Sequence, residues 1–287
     1  MLKQKSGFSF KVTIIIALLF LSCSNPLKDN EQQFEFLIVD VGQGLSQIGI
    51  SGSEAIVYDL GPSDGYEEFR RSYTNSGKPN VGSVVISHRD LDHSGGLIML
   101  DSEINWSGQL VTSKYEDTSY IKSLYRGDAE DIKIRTICSG DTLGGLENVK
   151  VTCIWPPENI SCEIPLEDQF VNRFSLVFLV QYGNTQVIIT SDIDSVAQSR
   201  IASSFGSLLK SDILVIPHHG SSSSVNPVFS GYVNADISVI SCALENQYGH
   251  PHNETLSVIL MTGSFLTMTS LEGTVRFRSN GYYFTKF

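Results

Sequence analysis

The segment Ser87–Gly96, with the sequence SHRDLDHSGG, constrains this chain more than any other. It places two imidazoles and two carboxylates within six positions, directly after the apolar run Val84-Val85-Ile86. That run predicts a buried strand, and the two glycines allow a tight turn behind the polar residues. Four side chains that can ligate a metal therefore lie on one loop, and their nitrogen and oxygen donors suit divalent zinc, manganese or iron.

Asp192 is a further candidate ligand, because it follows an apolar run over residues 186–190. A carboxylate has two oxygens and can bridge two cations. The alternative is that this residue caps the helix that the sequence predicts from Ser195 onward.

Three histidines downstream complete the set of candidate groups. His218 and His219 follow a predicted strand at 212–216, and neighbouring residues in an extended segment point in opposite directions. We therefore expect one of the pair to ligate and the other to face the substrate or another side chain, with His218 favoured as the ligand. His250, between a glycine and a proline, is a candidate metal ligand, substrate-binding residue or general acid.

Short apolar runs alternate with turns along the chain, which is typical of a layered α/β domain whose strand-end loops build the site. We predict a single domain over residues 34–287, with a pocket-shaping loop from Asn105 to Gly145. Strands are predicted over 36–39, 55–58, 81–87, 174–182, 186–190, 212–216, 236–241, 265–269 and 274–278, and helices over 64–76, 118–126, 195–205 and 253–261.

The N-terminus resembles a bacterial lipoprotein signal. Three lysines precede a ten-residue apolar run, which is too short to span a bilayer, and Ser22 then precedes Cys23. The resemblance implies export, removal of residues 1–22, lipid on Cys23, and a polar tether over 23–33. The alternatives are an ordinary secretory signal or an uncleaved anchor.

The charge balance limits the partners of this chain. Its formal net charge is −11, and removal of the three N-terminal lysines would take it to −14. Long duplex DNA is therefore disfavoured, because nucleic-acid binding usually requires a basic face. No protein partner can be inferred.

Cysteine usage leaves two alternatives. An exported protein could pair Cys153 with Cys162 across a proline-containing loop. Buried free thiols at Cys138, Cys153, Cys162 and Cys242 are an equally good interpretation.

Seven motifs, taken in order, resemble the metallo-β-lactamase superfamily, and more narrowly the hydrolase domain of ComEC-type competence proteins. They are DVGQG at 40–44, DLG at 59–61, HRDLDHSGG at 88–96, NRFSLV at 172–177, TSD at 190–192, PHHGS at 217–221 and YGHP at 248–251. The resemblance covers residues 34–287 and implies a four-layer αβ/βα sandwich.

The resemblance also implies a site that holds two divalent cations, with zinc favoured and manganese as the alternative. One cation would be held by His88, Asp90 and His218, and the other by Asp92 and His93, with Asp192 as the bridge. Behind these ligands, Asp59 would orient one of them, and Asn172 or Ser175 would face the site.

Four departures from the family pattern affect these expectations. No histidine occupies the ligand position expected between the opening motif and Asp192, so one cation would be held less tightly. Asp90 stands where the commoner motif has histidine, which favours harder metals such as manganese. Leu45 replaces an aspartate, so any polar role at that position is in doubt. Ser191 replaces a glycine and could shift the placement of Asp192.

Metal-dependent hydrolysis of a small or short phosphodiester is the leading functional hypothesis, because the ComEC-like branch is linked to nuclease activity. Asp92, His219 and His250 are the expected catalytic residues, acting on a metal-activated hydroxide. The alternatives are a lactone or ester hydrolase of the same fold, or a non-catalytic metal-binding lipoprotein.

Overall fold

The structure is a computed structural model that describes residues 33–128, 130–159 and 171–287. The predicted signal peptide, Cys23, most of the tether and Cys162 lie outside the described residues. Gln32–Phe287 forms one compact unit.

The first sheet contains eight strands in the order β15-β14-β1-β2-β3-β4-β5-β6. From β3 to β6 the strands are parallel, and the rest are antiparallel. Their bounds are β1 Phe34–Ile38, β2 Ser46–Ser51, β3 Glu54–Leu60, β4 Asn80–Ile86, β5 Gln109–Ser113, β6 Lys133–Ile137, β14 Val275–Ser279 and β15 Phe284–Lys286.

The second sheet contains seven strands in the order β13-β12-β11-β10-β9-β8-β7. From β10 to β13 the strands are parallel. Their bounds are β7 Thr142–Leu143, β8 Val149–Trp155, β9 Val177–Tyr182, β10 Thr185–Ile189, β11 Ile213–Val215, β12 Ile237–Ile240 and β13 Phe265–Met268.

Helices cover the outer face of each sheet, which confirms the predicted αβ/βα sandwich. Side chains of β1 alternate between two cores: Phe36 packs between the sheets, and Leu37 packs against the helical layer that contains Phe69. A third core joins the second sheet to its own helices. The α-helices are α1 Tyr66–Asn75, α2 Leu91–Ser94, α3 Thr118–Leu124, α4 Ser195–Phe205, α5 Pro227–Val233, α6 Asn253–Thr262 and α7 Thr269–Glu272.

The predicted loop from Asn105 to Gly145 is wrong as a description of that segment. It contains β5, α3, β6 and β7, and it completes the edges of both sheets. These strands are short, and β6 exposes most of its residues, so the apolar periodicity that marks a strand is weak there.

Cys138, Cys153 and Cys242 are free thiols. The buried Cys153 Sγ donates to the carbonyl of Trp155 at 3.1 Å, and burial raises the pKa of this thiol to about 12. For these three cysteines the free-thiol interpretation therefore holds.

Parallel pairing carries the ends of β3, β4, β10, β11 and β12 to one edge of the two sheets, which we call the site edge. The opposite edge, where these strands begin, is the far edge. At the far edge the two sheets contact each other directly, because the Asn184 backbone N–H donates to the Gly281 carbonyl at 2.7 Å. No helix among the described residues is long and apolar enough to cross a bilayer.

Candidate metal centre

The loop after β4 is held against β3 by close backbone packing. Gly96 N–H donates to the Gly61 carbonyl at 2.8 Å, and a Cβ at Gly96 would lie 2.6 Å from the Leu60 carbonyl oxygen. Only glycine fits there without a shift of the backbone. Asp90 then precedes the short helix α2, so that Asp92 and His93 project from it toward the second sheet.

Asp59 anchors this loop through three hydrogen bonds. Its carboxylate accepts the Ser87 backbone N–H and the Ser87 hydroxyl, both at 2.7 Å, and lies 2.8 Å from His93 Nδ1. Both Asp59 and His93 are buried. Since a carboxylate only accepts, Nδ1 of His93 carries a proton and Nε2 points into the site.

The core of the site is a group of four side chains: Asp92, His93, Asp192 and His219. One donor atom from each lies within 4.8 Å of the others. His93 Nε2 is 3.0 Å from Asp192 Oδ1 and 3.3 Å from His219 Nε2, and His219 Nε2 is 3.3 Å from Asp92 Oδ2. Two imidazole nitrogens and two carboxylates that converge in this way form a donor set suited to a divalent cation.

His219 is positioned by a carbonyl on the neighbouring strand end. Its Nδ1 lies 2.9 Å from the Ser241 carbonyl oxygen, so Nδ1 carries a proton and Nε2 is the ring nitrogen that faces the site. Ser241 in turn donates to the Gly44 carbonyl at 2.8 Å. Sequence reasoning did not identify Ser87 or Ser241, since a serine beside a strand end has no distinctive signal.

The segment that carries His218 and His219 is a tight turn, not an extended strand end. Both residues have φ of +54°, and their rings are 6.3 Å apart at 72°. The premise that one must point away is therefore wrong, since both rings reach the site. His219 belongs to the compact group, whereas His218 Nε2 lies 3.7 Å from Asp192 Oδ2 and the side chain is partly exposed.

A second group of donors lies beside the first. His88 is fully buried, its Nε2 makes no hydrogen bond, and this atom is 3.6 Å from Asp90 Oδ2. A buried nitrogen without a hydrogen-bond partner is what a metal ligand at this position would leave. Asp192 Oδ1 lies 3.0 Å from His93 Nε2, and Oδ2 lies 3.6 Å from His219 Nε2 and 3.7 Å from His218 Nε2, so this carboxylate contacts both groups.

The remaining residues expected near the site divide into two kinds. Asn172 Nδ2 lies 3.4 Å from His218 Nε2, so it does face the site. Ser175 instead donates to the Asn172 carbonyl at 2.8 Å, Leu45 packs in the core between the sheets, and Asp194, not Asp192, caps α4.

His250 lies in the wall of the cavity beside the metal centre. Its ring stacks on Tyr248 at 5.5 Å and lies 6.3 Å from His219, nearly parallel to it. Burial and the neighbouring positive charge of His219 lower the pKa of His250 to about 4, so the ring is neutral at neutral pH. It lines a cavity of about 430 Å³, together with Gln43, Asp90, Leu91, Asp92, Asp192, His218, His219 and Tyr248.

The charges of the buried group compensate each other. Burial alone would lower the pKa of His93, but the carboxylates of Asp192 and Asp59 outweigh it and raise that pKa well above its usual value. Burial likewise opposes ionisation of Asp192, but His93 and His219 hold the pKa of this carboxyl well below its usual range. A proton on His93 therefore occupies the position that a cation would fill.

The chain is similar in sequence to bacterial competence proteins and in structure to metallo-β-lactamase fold proteins. No family model matches the chain. It is 25% identical over 272 residues to competence protein ComA of Neisseria gonorrhoeae, covering 94% of this chain and 36% of that protein. It is 22% identical over 284 residues to ComE operon protein 3 of Bacillus subtilis, covering 92% and 35%. The chain thus spans about a third of the length of these relatives.

Two solved structures share the architecture. YhfI, a metallo-β-lactamase fold protein of Bacillus subtilis, superposes with a TM-score of 0.55 at 10% identity, covering 86% of this chain and all of that one. Igni18, a metallo hydrolase of Ignicoccus hospitalis, gives 0.55 at 12% identity, covering 85% and 98%. This chain has the metallo-β-lactamase fold. The resemblance to ComEC-type competence proteins is also confirmed, and the donor set is one that could hold a metal ion.

Replacement of Asp59 by asparagine tests whether this residue positions His93. We expect Asp59→Asn to weaken zinc binding by about 10–100-fold, because the ligand loses the charged partner that fixes its tautomer. Competition with a chromogenic chelator measures the affinity. The matched control is Asp212→Asn, whose carboxylate also accepts a backbone N–H, from Gln186 at 2.7 Å, but at the far edge. Equal zinc affinity in both variants would contradict the positioning role.

Cation binding is expected to displace the His93 proton. The folded pKa of His93 lies above its usual 6.5, so its contribution to the stability of the metal-free protein is present below pH 6.5 and is lost as the pH rises through the folded pKa. For Asp192 the folded pKa lies below 3.8, so its contribution is present above pH 3.8 and is lost as the pH falls through the folded pKa. Both contributions are fully present between pH 3.8 and pH 6.5, so the metal-free protein should be most stable in that range.

We accordingly expect zinc binding at pH 7 to release at least one proton, from His93 and in part from His219, and the affinity to fall as the pH is lowered. Calorimetric titration in buffers of different ionisation enthalpy counts the protons. Zinc binding without proton release would show that His93 is neutral in the metal-free protein.

Proposed function

We propose that this chain is a metal-dependent phosphodiesterase that acts on a small or short substrate. The observation that carries the proposal is the convergence of Asp92, His93, Asp192 and His219, and all of these except the buried His93 line the 430 Å³ cavity. Donor sets of this kind hold hydrolytic cations, and the names of the solved neighbours include a metallo hydrolase. The resemblance to ComEC-type competence proteins, a branch linked to nuclease activity, is our reason to place a phosphodiester before other substrates.

The donor residues form two sets, one for each proposed cation. Asp92, His93, Asp192 and His219 would hold one divalent cation, with His88, Asp90 and His218 around a second, zinc being favoured and manganese the alternative. Bound cations would supply a hydroxide at neutral pH and stabilise developing negative charge. Asp59 and the Ser241 carbonyl keep the two imidazoles in the tautomers that ligate.

His250 acts on the substrate side of the site. As a neutral imidazole it can donate one N–H to an oxygen in the cavity without adding a charge that would repel a cation. Stacking on Tyr248 and the backbone hydrogen bonds to Asn246, at 2.8 and 2.9 Å, hold it in place.

The size and charge of the surroundings narrow the substrate class. A cavity of this volume admits a small phosphodiester or a single-strand end. A formal net charge of −11 opposes the approach of a long polyanion such as duplex DNA. We further propose that the protein is exported and held in the cell envelope by lipid on Cys23.

Turnover of bis(4-nitrophenyl) phosphate by residues 24–287 tests the activity. We expect chelation to abolish hydrolysis and zinc or manganese to restore it. Asp92→Asn should lower the restored rate by about 100-fold, because it removes a ligand, whereas Asp212→Asn should retain it. Folded, metal-loaded protein that hydrolyses a lactone or ester but no phosphodiester would overturn the substrate assignment; metal-loaded protein without any turnover would favour a binding role.

His250→Ala separates a catalytic role from a ligand role. We expect kcat to fall by about 100-fold with unchanged metal content, since this residue lies outside the compact group. The control is His252→Ala, in a neighbouring histidine whose Nδ1 accepts the Ser222 backbone N–H at 3.0 Å. Loss of bound metal in His250→Ala would identify this residue as a ligand instead.

A further inference from the structure

The far edge of the sandwich exposes large apolar and aromatic side chains in the connections that precede its strands. Leu208 precedes β11, Leu260 and Met261 end α6 before β13, Phe265 begins β13, and the Tyr282-Tyr283 pair joins β14 to β15. Their exposed fractions are 70%, 80%, 71%, 64%, 71% and 58%. Such a set of exposed side chains on one edge is a candidate contact surface.

We propose that this far edge rests on the headgroup layer of a lipid bilayer, so that the metal centre faces away from the membrane. The inference rests on the proposed lipid on Cys23 and adds the orientation of the anchored protein. It also restricts the substrate to one that arrives from the aqueous side.

Exposure alone does not select the far edge, because the site edge also exposes Leu91, Leu244 and Tyr248. The position at which the chain enters the domain selects it. β1 begins at Phe34 on the far edge, and Phe34 pairs with Ser279, the residue immediately before the tyrosine turn. Cys23 is eleven residues before Phe34, so at full extension the lipid lies within about 40 Å of this point.

The chemistry of the neighbouring turn suits a headgroup layer. Tyrosine combines an apolar ring with a polar hydroxyl, and it is enriched at membrane–water interfaces. Tyr282 and Tyr283 stand next to the entry point of the chain, and Phe34 contacts Phe284 at 6.4 Å, which fixes the turn to β1. An anchor on Cys23 would thus bring these two side chains to the bilayer first.

The charge of this region neither attracts nor repels a headgroup layer strongly. Residues 273–287 contain Arg276, Arg278 and Lys286 and no acidic residue, in a chain with a net charge of −11. Two of these cations are already paired, Arg278 with Glu35 at 2.8 Å and Lys286 with Glu272. The turn is therefore close to neutral, and contact would depend on apolar and interfacial side chains more than on charge.

The orientation has a consequence for function. β1 spans five residues from Phe34 at the far edge to Ile38 near the site, and the four steps between them cover about 14 Å at the rise of a β-strand. The metal centre would lie at least that far from the headgroups. A phosphodiester embedded in the same bilayer would be out of reach, whereas a soluble one would have free access.

Photo-crosslinking of the full chain in bacterial membranes tests this orientation. A p-benzoylphenylalanine probe is placed at Leu208, at Tyr282 or at Leu244. Leu208 and Leu244 form a matched pair, because both leucines are 70% exposed but they lie at opposite edges. After irradiation, mass spectrometry of the intact protein reports both the phospholipid adduct and the lipid on Cys23. Metal content confirms that each probe variant is folded.

We expect Cys23 to carry lipid, and phospholipid adducts at positions 208 and 282 to exceed those at position 244 by about tenfold. Lipidated protein with equal adducts at all three positions, or with none, would overturn the orientation while leaving the anchor intact. Unmodified Cys23 would overturn both. Hydrolysis by residues 24–287 is measured separately, so failure of the orientation and failure of the enzymatic proposal remain distinguishable.

Discussion

The buried carboxylate of Asp59 is the contact on which the rest of the site depends. It lies at the end of β3 with φ of +57°, and it satisfies the backbone of Ser87 at the end of β4 while it holds His93. A charge in this position would be costly without partners. Three hydrogen bonds repay that cost, and they join two strands, one loop and one ligand into a single rigid unit.

The same logic extends across the interface between the two sheets. His93, from the first sheet, faces Asp192 and His219, which the second sheet supplies from the ends of β10 and β11. Neither sheet alone supplies all four members of the compact group, Asp92, His93, Asp192 and His219. Packing of Tyr58 against Phe178, with ring centroids 5.4 Å apart, holds the sheets in the register at which the donors meet. Core packing and ligand geometry are therefore coupled.

Much of this could be predicted from the sequence, because strand-end motifs carry local signals. The helix over 195–205 has the bounds that the sequence predicts, although its N-cap is Asp194 and not Asp192. The roles of His218 and His219 could not be assigned. Both residues hold left-handed backbone, which residues with a Cβ rarely adopt, and only the neighbouring Ser241 carbonyl fixes which nitrogen faces the site. Long-range contacts of that kind leave no trace in spacing.

The topology that builds the site also separates it from the point where the chain enters. Since β1, β3, β4, β10 and β11 all run toward the site edge, every ligand loop follows a strand, and the entry at Phe34 necessarily lies at the opposite edge. A lipid attached before Phe34 would thus anchor the domain at its far edge, opposite the metal centre. The acidic surface would then keep long polyanions away from a cavity open to the aqueous phase, while the donor set, locally balanced by cations, would still accept a small phosphodiester.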